Sequence, residues 1–258
     1  MRYDISGTTM QTVSIDLVRG EKLYSQTATM AWMSEGIRMD THTGGGLFAG
    51  LKRAVGGGGL FITEFTADAD GYVAFAPRFP GQIVAVQLVT GQTLNCRKET
   101  FLCAESSVTL DIAFQQRLGA GFFAGEGFVM QRVTGPGMVF LDLSGEVVEK
   151  TLSPGERLFV HAGHIGIQEP SVDIDIRMMR GFRNILFGGE GLFLATITGP
   201  GHVALQSMPI MNLAEEIGRY LPNKSSSSSS DTGTTVAAVA AGALLGSIFG
   251  GSSDSSDT

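Results

Sequence analysis

"GEGFVMQRVTGPGMVFL" occupies Gly125 to Leu141, and 64 residues later the chain reads "GEGLFLATITGPGHVAL" from Gly189 to Leu205, with nine of the 17 positions identical. Each copy is an apolar run, a Thr-Gly-Pro-Gly turn and a second apolar run. Proline fixes φ at the second position of a type II turn, and a glycine after it supplies the positive φ needed at the third. Pro136-Gly137 and Pro200-Gly201 fit those two places. The flanking runs are therefore expected to fold back as antiparallel strands. "FVMQRV" and "LFLATI" are almost continuously apolar, the pattern of strands covered on both faces.

A third, more divergent copy is "GGGLFITEFTADADGYVAF" from Gly57 to Phe75, where Asp70-Gly71 replaces the proline turn and the loop is two residues longer. A second landmark recurs with the same period, a strand ending in a glycine turn followed by Glu or Gln. It reads "VSIDLVRGEKL" from Val13, "VAVQLVTGQTL" from Val84 and "VEKTLSPGERL" from Val148, in steps of 71 and 64 residues. The spacing sets repeat boundaries near residues 12–82, 83–146 and 147–209. A unit of about 65 residues with short strands cannot bury both faces of its sheets alone, so neighbours must share a core. The expected fold is all-β: one domain over residues 1–221 made of three tandem units with pseudo-threefold symmetry.

After Pro209 the pattern becomes "IMNLAEEIGRYL". Asn212 reads as a helix cap with Glu215 three residues on, and Leu213, Ile217 and Leu221 share a face. A closing helix over 210–221 is expected to cover the β core. Residues 222–235 then form a Ser-rich linker containing the run Ser225 to Ser230, and 236–258 a Gly/Ala-rich tail. The 22 residues between Asp231 and Asp254 are uncharged, and as a helix they would span about 33 Å against a hydrocarbon core of about 30 Å. Their strongly apolar members are few, so insertion energy is marginal, on the order of -3 kcal/mol. Gly242, Gly246 and Gly250, with Leu245 and Phe249 alongside, make a small-residue strip for membrane contact or tail self-association; a disordered low-complexity tail is the other reading.

The 258 residues carry 36 glycines, 43% apolar residues and a formal charge of -7, which suits many short strands and offers no basic footprint for nucleic acid. The densest basic run, "RMMRGFR" with Arg177, Arg180 and Arg183, reads as a solvated or ion-paired surface. "MRYDISGTTM" lacks a secretory signal pattern, and two cysteines are no disulfide framework; the expectation is a cytoplasmic protein, peripheral at the inner face of a membrane if the tail engages it.

Reactive constellations are sparse. His161 and His164 form H-x-x-H with Glu169 beyond, but residues three apart on a strand point to opposite faces, so they read as ordinary polar positions rather than metal ligands. By repeat register Cys103 stands level with Trp32 and Ile167, and Cys96 with Ser25 and Val160, so Cys103 reads as a small core hydrophobe. "DADG" at Asp68 to Gly71 lacks the later ligand of a calcium loop and reads as a hairpin turn. The glycine runs at 44–46 and 56–59 lie outside any βαβ unit and suggest a mobile loop around "LFAGLKRAV". No G-x-S-x-G, P-loop, H-E-x-x-H or C-x-x-C is present. No catalytic residue and no cofactor is expected.

"ATMAWMSEGIRMDT", "GGGLFAGLKRAVGGGGLFITEFTA", "GYVAFAPRFPGQIVAVQL" and the two TGPG strands resemble the family of altered inheritance of mitochondria protein 24 and its bacterial relatives, over about residues 10–221. The resemblance implies three tandem units like the tryptophan RNA-binding attenuation protein, a shortened double-stranded β-helix. It also implies a link to inner-membrane organisation for the mitochondrial members and no catalytic residues. Relatives often carry Gly-Glu where this chain has Glu126 and Glu190, but its first unit has Gly58 there. Fold likeness does not carry RNA binding with it. The function expected is a noncatalytic β-scaffold that self-assembles as a homo-oligomer. A small-ligand module with its site between units is the alternative, and a metal-dependent enzyme the third.

Overall fold

The computed structural model describes residues 1–26, 28–42, 62–116, 127–178 and 193–220. After an N-terminal strand, β1 (Arg2–Ser6), six strands follow three times over. Unit one holds β2 (Thr12–Leu17), β3 (Lys22–Gln26), β4 (Met30–Met33), β5 (Ile37–His42), β6 (Ile62–Ala67) and β7 (Gly71–Phe75). Unit two holds β8 (Gly81–Leu88), β9 (Thr93–Arg97), β10 (Phe101–Glu105), β11 (Thr109–Gln116), β12 (Phe128–Thr134) and β13 (Gly137–Ser144). Unit three holds β14 (Val147–Leu152), β15 (Arg157–His161), β16 (Ile165–Gln168), β17 (Asp173–Met178), β18 (Phe193–Thr198) and β19 (Gly201–Gln206).

Every unit splits into the same two three-stranded lobes. One lobe orders its strands first, sixth, third (β2-β7-β4, β8-β13-β10, β14-β19-β16); the other runs second, fifth, fourth (β3-β6-β5, β9-β12-β11, β15-β18-β17). Even the irregularities repeat. The third strand is bulged between Met30 and Trp32, between Phe101 and Cys103, and between Ile165 and Ile167, the same steps of 71 and 64 residues read from the glycine turns. A bulge inserts one residue and bends its strand, so a bulge kept in all three copies marks one design used three times.

The Glu or Gln after each glycine turn has a structural task. Glu21 accepts the N–H of Val18 at 2.9 Å, Gln92 that of Val89 at 3.1 Å and Glu156 that of Ser153 at 2.8 Å. Each side chain thus satisfies a backbone donor inside its own turn. Side-chain amides also latch one unit to the next: Gln11 accepts from the N–H of Ile83 at 2.7 Å, and Gln82 from that of Val147 at 3.1 Å.

The TGPG turns form where expected but are not type II. The Gly135–Pro136 and Gly199–Pro200 peptides are cis, and a tertiary amide adopts that form at modest cost. The following glycines do have the positive φ, 137° at Gly137 and 141° at Gly201. Of the strands leading into these turns, β12 is buried at five of its seven positions, with Arg132 exposed and Thr134 half-buried, close to what its run of apolar residues foretells.

Three apolar clusters make the core. One joins unit one to Ile83, Leu102, Cys103 and Phe140 of unit two; a second is centred on unit two and reaches Tyr24 on one side and Ile167 on the other; the third joins Phe128 and Met130 of unit two to unit three. Each crosses a unit boundary, which is the sharing that short-stranded units require.

The helix α1 (Ile210–Tyr220) corrects the sequence reading in two respects. It starts two residues before Asn212, and the Pro209 carbonyl accepts from the N–H groups of Asn212 and Leu213, so Asn212 sits inside the first turn rather than capping it. On the face expected to seal the core, Leu213 is half-buried but Ile217 is exposed, so that face is turned in part to solvent. Leu221, the linker and the tail lie outside the described residues.

Candidate functional site: an open seam and a cleft between units

The two lobes of neighbouring units join edge to edge. At the first seam β3 pairs with β10, with Ser25 opposite Cys103 and Tyr24 opposite Ala104. At the second β9 pairs with β16, with Cys96 opposite Ile167 and Asn95 opposite Gln168. Each seam welds two lobes into a six-stranded sheet. Repetition calls for a third seam between β15 and β4, yet β15 ends its three-stranded sheet and β4 ends the sheet β1-β2-β7-β4. Among the described residues two seams are closed and the third is open.

Side-chain exposure follows the seams. Tyr24 and Asn95, at one position of the second strand, are 2% and 6% exposed, whereas their counterpart Phe159 is 65% exposed. Cys103 and Ile167 are 0% and 7% exposed, whereas their counterpart Trp32 is 49% exposed. The open edges thus carry large apolar side chains at positions that the closed seams bury.

Where the three units meet there is a cleft of about 510 Å³. Gln26 and Arg78 of unit one, Arg97 and Asp142 of unit two, and Gly163 and Gln206 of unit three line it. Gln26, Arg97 and His161 are one repeat position at the end of the second strand. Gln26 donates to the Lys98 carbonyl at 2.6 Å, across the first seam. Arg97 is nearly buried, lies 4.5 Å over the Phe128 ring and pairs with Glu99 at 3.1 Å. Gln206 donates to the Gly163 carbonyl at 2.8 Å and accepts from the Ser144 N–H at 3.0 Å, tying unit two to unit three. Desolvation pushes the Asp142 carboxyl up to about 7, offset only in part by the charge of Arg78, and its Oδ1 is buried without a hydrogen-bond partner. Sequence reading missed Asp142, because the carboxylate takes its meaning from burial that only the assembled units create.

The residues weighed as reactive are accounted for structurally. His161 and His164 are not on one strand: the chain turns through a 3₁₀ segment, Ala162–His164, and brings the rings edge to face at 5.8 Å. The opposite-faces argument therefore does not apply to them. His164 Nδ1 nevertheless lies 2.8 Å from the Gln206 carbonyl oxygen, and Glu169 accepts the His202 N–H at 2.9 Å. Glu105 does the same for Met138 at 2.8 Å and Ser34 for Tyr72 at 2.9 Å, so Glu169 is a turn-holding residue of the repeat. Burial, with His164 nearby, lowers the His161 pKa. No cluster that could hold a metal ion occurs among the described residues.

Cys96 and Cys103 are buried free thiols, with burial pushing Cys96 up to about 12 and Cys103 well above the usual thiol range. Neither offers a thiolate near neutral pH. Asp68 and Asp70 stand in the β6–β7 turn, where Asp68 pairs with Arg38 at 3.2 Å and Asp70 accepts the Arg19 N–H at 2.8 Å. Arg177 is exposed and pairs with Asp175 at 2.7 Å. Arg180, Arg183, Gly58, Glu126, Glu190, the "LFAGLKRAV" loop and the tail residues Gly242, Leu245, Gly246, Phe249 and Gly250 lie outside the described residues. Among the described residues no helix is long and apolar enough to cross a membrane.

These features define a triplicated, shared-core β protein of the kind the glycine-turn motifs resemble. The chain belongs to the mitochondrial biogenesis AIM24 family, whose model matches residues 3–208. It is 31% identical over 223 residues to the Streptococcus pyogenes serotype M6 protein M6_Spy0233, described as uncharacterized, covering 83% of this chain and 88% of that one. The crystal structure of protein SPYM3_0169 from Streptococcus pyogenes is similar at a TM-score of 0.70 and 28% identity, over 85% of this chain and 99% of that one.

Proposed function

We propose that this protein is a noncatalytic β-scaffold that acts by association, with a homo-oligomer as its working form. The observation that carries the reading is the open third seam, where Phe159 is 65% and Trp32 49% exposed on unpaired strand edges. Unpaired edges with apolar side chains are templates for pairing, and proteins that must stay single blunt them with charge or proline. The inert thiols and the structural employment of His164 and Glu169 support a noncatalytic reading. A cytoplasmic protein that meets a membrane through its tail remains part of this proposal. Light scattering on the full chain across a concentration series tests association: a mass that rises to multiples of the monomer is expected, and a monomer mass at every concentration overturns it.

A second reading, a small-ligand module, is favoured by one observation, the cleft between units with its partnerless Asp142 Oδ1. A ligand at 100 times its dissociation constant adds about 2.7 kcal/mol to stability. Thermal shift against amino acids and nucleotides is the measurement; a shift in the native chain that disappears in Asp142→Ala supports the reading, and no shift across the set counts against it.

A further inference from the structure

We infer that the open seam is the docking site for a second copy of this chain, joined head to tail, with β15 of one copy adding antiparallel to β4 of the next. The inference rests on the self-association reading above and names its partner, direction and register. Two seams are already formed inside the molecule. In both, the second strand of one unit meets the third strand of the following unit, β3 with β10 and β9 with β16. Among the described residues β15, the second strand of unit three, and β4, the third strand of unit one, have no such partner. The free edges are therefore the two complementary halves of an interface built twice within the chain.

The repeat also sets the register. Ser25 and Cys96 correspond to Val160, and Cys103 and Ile167 correspond to Trp32, so Val160 of one copy should stand opposite Trp32 of the next. One step along, Tyr24 opposite Ala104 and Asn95 opposite Gln168 place Phe159 opposite Met33. Aromatic and aliphatic side chains facing one another across antiparallel strands form favourable pairs. Tyr24 and Cys103 show what closure does to these positions, for both are nearly inaccessible at the first seam.

Three features favour a second copy over other occupants. Within the folded chain each edge is fixed by its own lobe, β4 by β7 and β15 by β18, and the two do not hydrogen-bond to each other. Next, β4 (MAWM) and the Leu158–Val160 centre of β15, which follows Arg157, carry no charge, whereas the outer edges β5, β14 and β17 carry Arg38 and Asp40, Glu149 and Lys150, and Asp173 and Asp175; among the other edges β8 is likewise uncharged. Charged edges resist strand addition, and the two seam edges lack that protection. Last, the contact would be continuous with an interface type the molecule already uses twice, so a copy of the chain supplies the matching edge by construction. Such a head-to-tail contact is heterologous and leads to closed rings or open filaments rather than a symmetric pair.

The test uses full-length chains with single cysteines, the native thiols being buried. Met33→Cys and Phe159→Cys are made in separate chains, mixed, and oxidised mildly; directly opposed antiparallel residues lie within disulfide reach. The expected result is a disulfide-linked heterodimer that forms on mixing and scarcely in either chain alone. Moving one cysteine out of register, with Trp32→Cys in place of Met33→Cys, should lower the yield about tenfold. A double variant carrying both cysteines should give linked multimers. If it gives a monomer with an internal bond instead, the seam closes within one chain and the second-copy inference is overturned. Multimers by light scattering without the cross-link overturn the register while leaving self-association standing. Monomers without any cross-link overturn both. Trp32→Lys, which adds charge to the edge without touching the closed seams, should weaken association at least about tenfold with the melting temperature unchanged; equal association of the variant and the native chain counts against the seam.

Discussion

Asp142 shows how a residue that looks ordinary in sequence becomes distinctive through burial. Its folded pKa is raised to about 7 by desolvation, so between the usual aspartate range and about 7 the folded chain keeps a proton that the unfolded chain has lost. Stability conferred by the neutral carboxyl is present below about pH 4 and declines as pH rises through about 7. Asp142→Asn removes that decline. Denaturant melts should show the variant equal to the native chain near pH 4 and more stable by about 2 kcal/mol at pH 8, after allowance for partial exposure. Equal stability at both pH values would contradict the buried, weakly compensated carboxyl. A second residue-scale case is Gln131, fully enclosed on β12 with neither amide nitrogen nor oxygen hydrogen-bonded. Leaving a polar side chain so placed costs on the order of 1–3 kcal/mol, so Gln131→Leu should raise stability in the same melts. Neither residue was legible beforehand, because burial of a single polar side chain depends on packing between units and leaves no local pattern.

At the scale of elements the sequence was far more informative. Glycine turns with a following Glu or Gln marked the end of one strand and the start of the next in every unit, because the side chain that accepts the turn's N–H must sit at a fixed offset. The period of 71 and then 64 residues passes unchanged into the positions of the bulges. Turn type was less legible: a Gly-Pro-Gly string is compatible with either proline isomer, and the cis form is what the fold adopts. The glycine after the proline is required by both backbone and space. A Cβ on Gly137 would lie 2.6 Å from Ser107 Oγ and 2.8 Å from Val108 Cγ2, and one on Gly201 2.6 Å from Ser171 Oγ and 2.8 Å from Val172 Cγ2. Gly137→Ala and Gly201→Ala should each cost about 2–4 kcal/mol in equilibrium melts, the positive φ and the crowding acting together. A loss under about 0.5 kcal/mol would show that these turns are looser than described. The helix misled for a local reason: its apolar spacing is real, but spacing states which residues share a face and not whether a neighbour covers it.

The molecule as a whole obeys the repeat until its ends. Strand order within each lobe and the sharing of core between units follow from three copies that are individually too small to bury themselves. Closure of the ring of units was not legible, since whether two edges meet depends on the summed rotation between units, and no stretch of sequence encodes that sum. Trp32 and Phe159 were visible as apolar residues in strands, yet the same pattern at Cys103 and Tyr24 ends in a buried seam. The tail, read as either membrane-contacting or disordered, lies outside the described residues, and its part in assembly is best judged by comparing the full chain with one ending at Ser230 in membrane pelleting. Equal partition of the two chains would remove the tail from the membrane proposal.

The most direct measurement of the central claim is amide hydrogen exchange of the full chain at high and low protein concentration, read strand by strand. The expected result is that β3, β9, β10 and β16 are protected at both concentrations, while the N–H groups of β15 and β4 that point away from β18 and β7 are protected only when the protein is concentrated and exchange freely on dilution. Protection of those N–H groups that does not change with concentration, whether strong or absent, would contradict an edge that waits for a second copy.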